Sequence, residues 1–255
     1  MKLTVIGSSS AGNAYVLQNA GEALLIEAGI TFNKVLQAID GYDVGKVHGV
    51  LITHEHGDHA GHVGEYLAYG LDVYATAGTI GAAARYYTRT DYTPRILQGD
   101  PAAGYAQLQL GGYTVIPFPT KHDAAEPVGF YIWHKETGGV LFATDTFYLK
   151  NRFQGLNNIL IECNYEQEQL EENLQAGKID PERYRRVRRS HLSYTTCLQM
   201  LKANDLTAVN NIVLIHISQD NGNGRRFRQG IAQATGKTVS VARQGLTIDF
   251  NKTPF

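Results

Sequence analysis

The sequence predicts a four-layer α/β (α+β) fold, the αββα sandwich, in which two β-sheets pack face to face and helices cover their outer faces. Three observations support it: short apolar segments open the chain, strand-like and helical segments then alternate, and the second half repeats this plan. The 255 residues are 43% hydrophobic and 18% charged, which provides a large core and excludes a disordered chain. We expect residues 1–255 to form one domain, because no linker or repeat divides them.

In the first half, the predicted strands are short, and the turns between them are rich in Gly, Asn and Ser. β-Branched and other apolar residues dominate each strand. Each helix has apolar residues three and four positions apart, and Thr31 is placed to cap the first one. The predicted strands are residues 3–6, 14–17, 23–27, 47–52 and 72–75, and the predicted helices are residues 31–39, 60–69 and 79–87.

The second half starts with strands and then alternates with helices again. Lys135-Glu136-Thr137-Gly138 separates two apolar segments and favours a hairpin turn between them. The predicted strands are residues 113–118, 128–134, 139–143, 159–162, 211–216, 238–242 and 246–250, and the predicted helices are residues 165–176, 181–187, 195–204 and 225–235.

Composition and the first residues exclude several classes of protein. Lys and Arg total 23 against 24 for Asp and Glu, so the chain is not a globally basic nucleic-acid binder, although a local basic patch is possible. Two cysteines cannot form a disulfide framework. The apolar run after Lys2 is too short for a secretory signal, and no window approaches the roughly 20 apolar residues of a membrane span. We expect a cytoplasmic protein with no membrane partner.

Five of the nine histidines lie between His48 and His62, and three of them follow the strand predicted at 47–52. His54 and His56 are two residues apart, so an extended backbone points both to one side. Gly57 permits a bend that turns Asp58 and His59 towards a second position. Neutral imidazole and carboxylate are the ligands expected for zinc and similar metals. Chance clustering of solvated residues is the alternative, and three histidines and one aspartate within six positions disfavour it.

The pattern His54-x-His56-x-Asp58-His59 resembles the HxHxDH motif of the metallo-β-lactamase superfamily. Members of this superfamily have the αββα fold and bind one or two metal ions at one edge of the sandwich. Further family ligands match in the correct order at His122, Asp145 and His216, so the resemblance covers nearly the whole chain. It implies two divalent cations, zinc or alternatively manganese. The implied ligands are His54, His56 and His122 for the first ion, Asp58, His59 and His216 for the second, and Asp145 as the bridge.

The segment Leu25-Ile26-Glu27-Ala28-Gly29 departs from the family pattern, which usually has Asp at the third position. Glu27 keeps the carboxylate and is one methylene longer. We expect it to support the loop at residues 54–59 through hydrogen bonds without binding metal.

Superfamily members hydrolyse β-lactams, thioesters, lactones or phosphodiesters, so the fold does not identify the substrate. Glu162 and His191 resemble motifs of nuclease branches, but only 45 residues separate Asp145 from His191, which leaves no room for the large domain inserted there in those branches. The compact exonuclease-like subfamily typified by YycJ and WalJ is more similar. The resemblance lies in residues 7–13 and in Ser190-His191-Leu192-Ser193-Tyr194, with departures at the first and last positions of that segment.

The resemblance implies a phosphodiesterase, and specifically a nuclease acting on DNA or RNA through a metal-bridging hydroxide. The implied catalytic residues are Asp58, Glu162 and His191. We expect His191 to be the general acid that protonates the leaving oxygen, with Glu162 orienting it. A structural histidine is the alternative. Two other functions remain open: hydrolysis of a cyclic phosphate ester or another small ester, and binding of nucleic acid without catalysis.

Arginines concentrate before His191 and after His216. Arginine forms bidentate contacts with phosphate, so these clusters could follow a nucleic-acid backbone. The alternative is a solvated helix face balanced by the acidic stretch 166–172. The candidate phosphate-binding residues are Arg189, Ser193 and Arg225. His48 and His134 are expected to be ordinary exposed residues, and the sequence does not indicate the oligomeric state.

Overall fold

Two seven-stranded sheets form the centre of the computed structural model, which describes residues 1–39, 41–88 and 90–253. The first sheet contains β1 (Lys2–Ser9), β2 (Gly12–Gln18), β3 (Ala23–Ile26), β4 (Val47–Leu51), β5 (Val73–Ala75), β6 (Arg95–Ile96) and β16 (Thr247–Asp249). The second contains β9 (Leu108–Leu110), β10 (Tyr113–Pro119), β11 (Val128–His134), β12 (Gly138–Ala143), β13 (Leu156–Glu162), β14 (Asn211–Ile215) and β15 (Thr238–Val241). A short hairpin of β7 (Gly99–Asp100) and β8 (Gly104–Tyr105) lies between β6 and β9 in the sequence.

Each sheet has an antiparallel part and a parallel part. The strand orders are β16-β1-β2-β3-β4-β5-β6 and β15-β14-β13-β12-β11-β10-β9. Pairing is parallel from β3 to β6 and from β12 to β15. Parallel strands end at one edge of their sheet, so the loops that follow them come together there. The loops after β3, β4, β10, β12, β13 and β14 meet at one edge of the sandwich, which we call the site edge.

The helices cover the outer faces of both sheets. They are α1 (Phe32–Ala38), α2 (Gly57–Ala60), α3 (Val63–Ala68), α4 (Ala77–Ala82), α5 (Gln167–Gln175), α6 (Pro181–Ser190), α7 (Tyr194–Ala203) and α8 (Gly224–Thr235), with 3₁₀ turns at Val44–Lys46 and Ala84–Tyr86. Phe32 of α1 and Tyr66 of α3 belong to the apolar layer outside the first sheet. Leu201 of α7 and Phe227 of α8 belong to the layer outside the second. The predicted αββα sandwich is therefore confirmed.

Strand β13 shows why a run of apolar residues forms a central strand here. All of its residues are buried. Leu160 faces the core between the sheets, whereas Ile159 and Ile161 face the helical layer. A strand covered on both faces favours apolar residues on both sides, and its buried Asn157 and Asn158 donate hydrogen bonds to backbone carbonyl oxygens. It ends at Glu162, whose buried side chain is thereby delivered to the site edge.

Several local predictions differ from the structure. The helix predicted at 79–87 is interrupted, because α4 ends at Ala82 and a 3₁₀ turn follows. Thr31 occupies the N-cap of α1 without a capping hydrogen bond from its side chain, and Glu65 Oε2 accepts the Phe32 N–H instead. Strands β6 to β9 lie in a stretch for which the sequence predicted no element. Among the described residues, no helix has both the length and the apolarity that crossing a membrane requires.

Candidate metal centre

The site edge gathers the histidines and carboxylates singled out from the sequence. Within the described ranges, groups whose potential ligand atoms all lie within 4.8 Å of one another occur three times. The first group is His54, His56 and His122; the second is Asp58, His59, Asp145 and His216; the third is Asp145, Glu162, His191 and His216. Asp145 and His216 are shared between the second and third groups.

The loop after β4 and the start of α2 carry four of these residues, namely His54, His56, Asp58 and His59. His56 has an extended backbone conformation, and the ring centroids of His54 and His56 are 4.7 Å apart. His56 is the N-cap of α2, so Asp58 and His59 fall in the first helical turn and face a different position. Gly57 has no positive φ, and the change of direction comes from the start of the helix.

His54 is held in one tautomer with a free ring nitrogen. The Thr53 hydroxyl donates a hydrogen bond to Glu27 Oε1, so its oxygen accepts from His54 Nδ1 at 2.9 Å. The opposite nitrogen, Nε2, is buried and has no hydrogen-bond partner among the described residues. Burial lowers the pKa of His54 well below its ordinary value, so the ring is neutral. A buried lone pair without a partner is what a metal ligand presents before the ion binds.

His122 is oriented in the same way by a backbone group. Its Nδ1 donates to the Ser190 carbonyl oxygen at 2.9 Å, which leaves the lone pair on Nε2. That Nε2 lies 3.1 Å from Nδ1 of His56. Burial also lowers the pKa of His122. Two ring nitrogens facing each other at this distance can share a cation, and the donor chemistry of the first group therefore fits zinc or manganese.

The second group surrounds two carboxylates. Asp58 Oδ2 lies 3.4 Å from Nε2 of His59 and 3.3 Å from Nε2 of His216. Although burial opposes ionisation, the positive charges of His216 and His59 hold the pKa of Asp145 well below its usual range. Burial likewise opposes protonation of His216, but Asp145 and other nearby acids raise the pKa of His216 to about 10. The protons on His59 and His216 thus balance the negative charges of Asp58 and Asp145, which a bound cation would neutralise in their place.

Asp145 stands between the two groups. Its Oδ2 lies 3.8 Å from His54 Nε2 and 3.7 Å from His122 Nε2 in the first group. The same oxygen lies 3.4 Å from His59 Nε2 in the second group. One carboxylate oxygen therefore faces both sets of ring nitrogens, as a bridging ligand must.

The backbone is strained at three positions of the centre. Among the described residues, the non-glycine residues with positive φ are Glu27 (68°), Asp145 (42°) and His216 (51°). Each follows the end of a strand that leads to the site edge. Such conformations cost about 1–3 kcal/mol each and persist where the surrounding structure requires them. These backbone conformations turn the side chains of Glu27, Asp145 and His216 towards the centre.

Glu27 and the β1–β2 hairpin support the second group from behind. Glu27 Oε1 lies 3.2 Å from His59 Nδ1, and Glu27 is in none of the three groups. Asn13 donates from Nδ2 to the Asp58 carbonyl oxygen, and Ser8 Oγ accepts the backbone N–H of His216. Neither Ser8 nor Asn13 was among the residues predicted for the site. Their membership of the polar segment 7–13 was the only signal that could have indicated them.

Close packing against the α2 loop explains why residue 29 is a glycine. A Cβ atom on Gly29 would lie 1.7 Å from the carbonyl oxygen of Asp58, so no other residue fits without moving the α2 loop. Ala28 fixes the same loop by donating its N–H to the carbonyl oxygen of His59.

Glu162 and His191 form a pair at the border of the second group. His191 Nδ1 donates to Glu162 Oε1 at 2.6 Å, and Glu162 Oε2 accepts the N–H groups of Thr146 and Leu192. Burial opposes ionisation of Glu162, but His191 and its hydrogen bond lower the pKa of that carboxyl. The side chain of His191 is 11% exposed and lines a cleft together with His216. Its Nδ1 is engaged, which leaves Nε2 for the cleft.

The arginines lie differently from the sequence prediction. The cleft beside His191 has a volume of about 150 Å³, and Arg183 and Arg186 of α6 line it, whereas Arg189 does not. Arg183 and Arg186 are three residues apart and share the face of α6 nearest His191. Arg189 is also three residues from Arg186, so the spacing alone does not separate the two, and the packing of the helix decides which arginine lines the cleft.

Ser193 is also placed differently. It is buried, and its hydroxyl oxygen caps α7 by accepting the Thr196 N–H. Its hydroxyl also contacts Thr196 Oγ1 at 2.9 Å, so it serves the helix end and not the cleft. Arg225 is an exposed residue of α8 and lines a separate groove.

Two bacterial relatives resemble the chain in sequence. The exodeoxyribonuclease WalJ of Streptococcus pneumoniae serotype 2 (strain D39 / NCTC 7466) is 29% identical over 188 residues, which are 70% of this chain and 68% of the relative. The exodeoxyribonuclease YycJ of Bacillus anthracis is 31% identical over 180 residues, which are 67% of this chain and 65% of the relative.

Solved structures resemble the chain in fold. The metallo-β-lactamase fold protein YhfI from Bacillus subtilis has a TM-score of 0.70 and 17% identity, with 97% of this chain and 98% of that chain covered. The short form of human tRNase Z has a TM-score of 0.63 and 16% identity, with 98% of this chain and 99% of that chain covered. The sequence model described as "Beta-lactamase superfamily domain" matches residues 16–217. The chain therefore belongs to the β-lactamase superfamily and has the metallo-β-lactamase fold.

Proposed function

We propose that this protein is a metal-dependent phosphodiesterase, and specifically an exonuclease that acts on DNA. The observation that carries the proposal is the position of Asp145 Oδ2, within 3.4–3.8 Å of ring nitrogens in both histidine groups, next to the His191–Glu162 pair. The two relatives named exodeoxyribonucleases support a polymeric DNA substrate over a small ester.

The proposal includes two divalent cations, zinc or alternatively manganese. His54, His56 and His122 would hold one, and Asp58, His59 and His216 would hold the other, with Asp145 shared. Bound divalent cations supply Lewis acidity and lower the pKa of water so that a nucleophile is available at neutral pH. Glu27 and Thr53 would keep His54 and His59 oriented towards the ions.

His191 is the proposed general acid. Glu162 fixes Nδ1–H of the imidazole, so Nε2 faces the cleft, where the leaving oxygen of the substrate would lie. Glu162 stays ionised because two backbone N–H groups and His191 donate to it. The ionised carboxylate in turn favours the protonated imidazolium, and Nε2–H can be given to the leaving oxygen. Asp58 is the other proposed catalytic residue, through its contact with both His59 and His216.

Arg186 is the proposed phosphate contact in the cleft, where the sequence had favoured Arg189. Arg183 also lines the cleft but already faces Asp220 Oδ2 at 3.4 Å. Arg186 makes no ion pair within the part of the chain that the structure describes, so its guanidinium is available for a phosphate oxygen.

The direct test is digestion of end-labelled DNA and RNA by metal-depleted protein that is resupplied with zinc or manganese. We expect DNA to be shortened from an end only after metal is added. Asp145→Asn, purified in parallel, should be inactive, which excludes a contaminating nuclease. Cleavage of bis(p-nitrophenyl) phosphate without cleavage of either polymer would instead establish a small-molecule hydrolase. Metal binding without hydrolysis of any phosphodiester would establish a non-catalytic metalloprotein.

A further inference from the structure

A basic groove lies beside the cleft, between α8 and β15. Gly224, Arg225 and Arg228 of α8 form one wall, and Val241, Arg243 and Leu246 contribute to the other. The volume of the groove is about 420 Å³. We call it the arginine groove.

The arginine groove opens at the site edge. β14 and β15 are parallel, and Leu214 pairs with Val241, so Val241 ends its strand next to the end of β14, which His216 follows. Adjacent strands are about 4.8 Å apart. A Cβ atom on Gly224 would contact both Ile217, which lines the cleft, and Val241, which lines the groove. The cleft and the groove are therefore neighbours separated by the side chain of Ile217.

The charge of the groove is uncompensated. Arg225, Arg228 and Arg243 are exposed, and among the residues that the structure describes no acidic side chain lines the groove. In the described ranges, none of these three guanidinium groups has an ion pair or a side-chain hydrogen bond, whereas Arg226 on the same helix pairs with Glu166. Three like charges held together repel one another, and a polyanion relieves that repulsion.

The geometry matches a chain of phosphates better than a single anion. Arg225 and Arg228 are three residues apart on one helix face, and Arg243 lies across the groove from them. Each guanidinium can bind a phosphate through two parallel hydrogen bonds. The apolar walls at Val241 and Leu246 offer contact to sugar rings without selecting a base.

We propose that the arginine groove binds the phosphate backbone of the nucleic-acid strand that continues beyond the cleft beside His191. This inference rests on the proposed nuclease function, and it adds the path of the substrate outside the reacting position. The contacts are to the backbone, so the groove contributes affinity and length preference but no sequence preference.

The test measures binding of a 20-nucleotide and a 4-nucleotide single-stranded DNA by fluorescence anisotropy over a range of salt concentrations. The protein is metal-loaded, and the DNA has phosphorothioate linkages, which keep the negative charge and resist hydrolysis. The test variant combines Arg225→Gln, Arg228→Gln and Arg243→Gln. A charge-matched control combines Lys2→Gln, Lys135→Gln and Lys252→Gln, three exposed cations at the edge opposite the site edge.

We expect the groove variant to bind the 20-nucleotide DNA about tenfold or more weakly, equally for oligo-dT and oligo-dA. The slope of log Kd against log salt should fall by about 2, because each single-strand phosphate contact contributes about 0.7. The 4-nucleotide DNA should lose much less affinity, and the control variant should lose less than about threefold.

Equal losses in the groove and control variants would show that only net charge matters and would overturn the proposal. Wild-type protein that binds 20 nucleotides no more tightly than four would overturn it as well. Groove-dependent binding by a protein that cleaves no polynucleotide would refute the nuclease function while leaving the groove in place.

Discussion

His191 is the residue on which the proposed chemistry depends most directly. His191→Ala should lower kcat on DNA by about 10²–10⁴-fold, since a positioned general acid contributes about that much. Metal content should stay unchanged, because His191 is outside the first and second groups. Steady-state kinetics and elemental analysis of the same preparation measure both. Full activity at unchanged metal content would eliminate the general-acid role.

Thr53 connects two side chains through a single hydroxyl. Thr53→Val removes the hydroxyl's bonds to Glu27 Oε1 and His54 Nδ1, and we expect metal affinity to fall by about 10–100-fold. Thr53→Ser keeps the hydroxyl and should restore most of that affinity. Competition with a chromogenic chelator measures the change. Equal affinities for the valine and serine variants would mean that the hydroxyl does not orient His54.

His134 is not the exposed residue that the sequence suggested. It is buried, and its Nε2 lies 3.0 Å from Glu22 Oε1, while Glu22 Oε2 accepts the Gly112 N–H. Burial raises the pKa of Glu22, but the Gly112 N–H and His134 outweigh it, so the net shift is downward. A lowered pKa in the folded state stabilises the fold above the ordinary carboxyl pKa, and that contribution is lost as the pH falls through the lowered value.

Glu22→Gln should therefore reduce the free energy of unfolding at pH 7 by about 1–2 kcal/mol. The difference from wild type should shrink as the pH falls below about 4.5, the ordinary pKa of a glutamate. Urea unfolding of both proteins at pH 7 and near pH 3.5 measures this. A difference that is the same at both pH values would contradict the role of the Glu22 charge.

At the scale of elements, helix α6 has two faces with different surroundings. Arg186 lines the cleft beside His191, whereas Arg185 is exposed and does not. We expect Arg186→Gln to lower kcat/KM for DNA about tenfold, in line with the loss of one charged hydrogen bond, and the matched Arg185→Gln to change it less than about twofold. Equal effects of the two variants would support the alternative of a uniformly solvated basic helix.

Strand ends matter at this scale as much as helix faces. β3, β12 and β14 each deliver a side chain to the site edge through a residue with positive φ, namely Glu27, Asp145 and His216. Apolar periodicity locates the strands but carries no information about the dihedral angles that follow them. The positive φ angles of these three residues are therefore evident only from the folded backbone.

For the whole molecule, the centre joins the two sheets. His54, His56, Asp58 and His59 follow a strand of the first sheet, whereas His122, Asp145 and His216 follow strands of the second. Cations bound by both sets would hold the sheets together at one edge. Each cation at about a hundredfold its Kd would contribute about 2.7 kcal/mol to stability, so two would contribute about 5.4 kcal/mol.

Removal of both cations with a chelator should therefore lower the Tm by about 10–20 °C, at roughly 2–4 °C per kcal/mol for a chain of this size. Readdition of zinc or manganese should restore the Tm, and His122→Ala should show a smaller change. Calorimetry measures these shifts in Tm. The same scans test whether residues 1–255 form one domain, because a single domain should unfold in a single transition. A Tm independent of chelator would contradict ligation across the two sheets.

The sequence by itself determined the αββα architecture and singled out the histidines and carboxylates that lie at the site edge. Both depend on local patterns: apolar periodicity identifies strands and helices, and His, Asp and Glu at strand ends meet wherever parallel strands share an edge. The tertiary structure decided which groups face each other. It buried His134 against Glu22 and turned Arg186 towards the cleft in place of Arg189. These two outcomes depend on contacts between segments far apart in the chain, and the spacing of residues within one segment does not encode them.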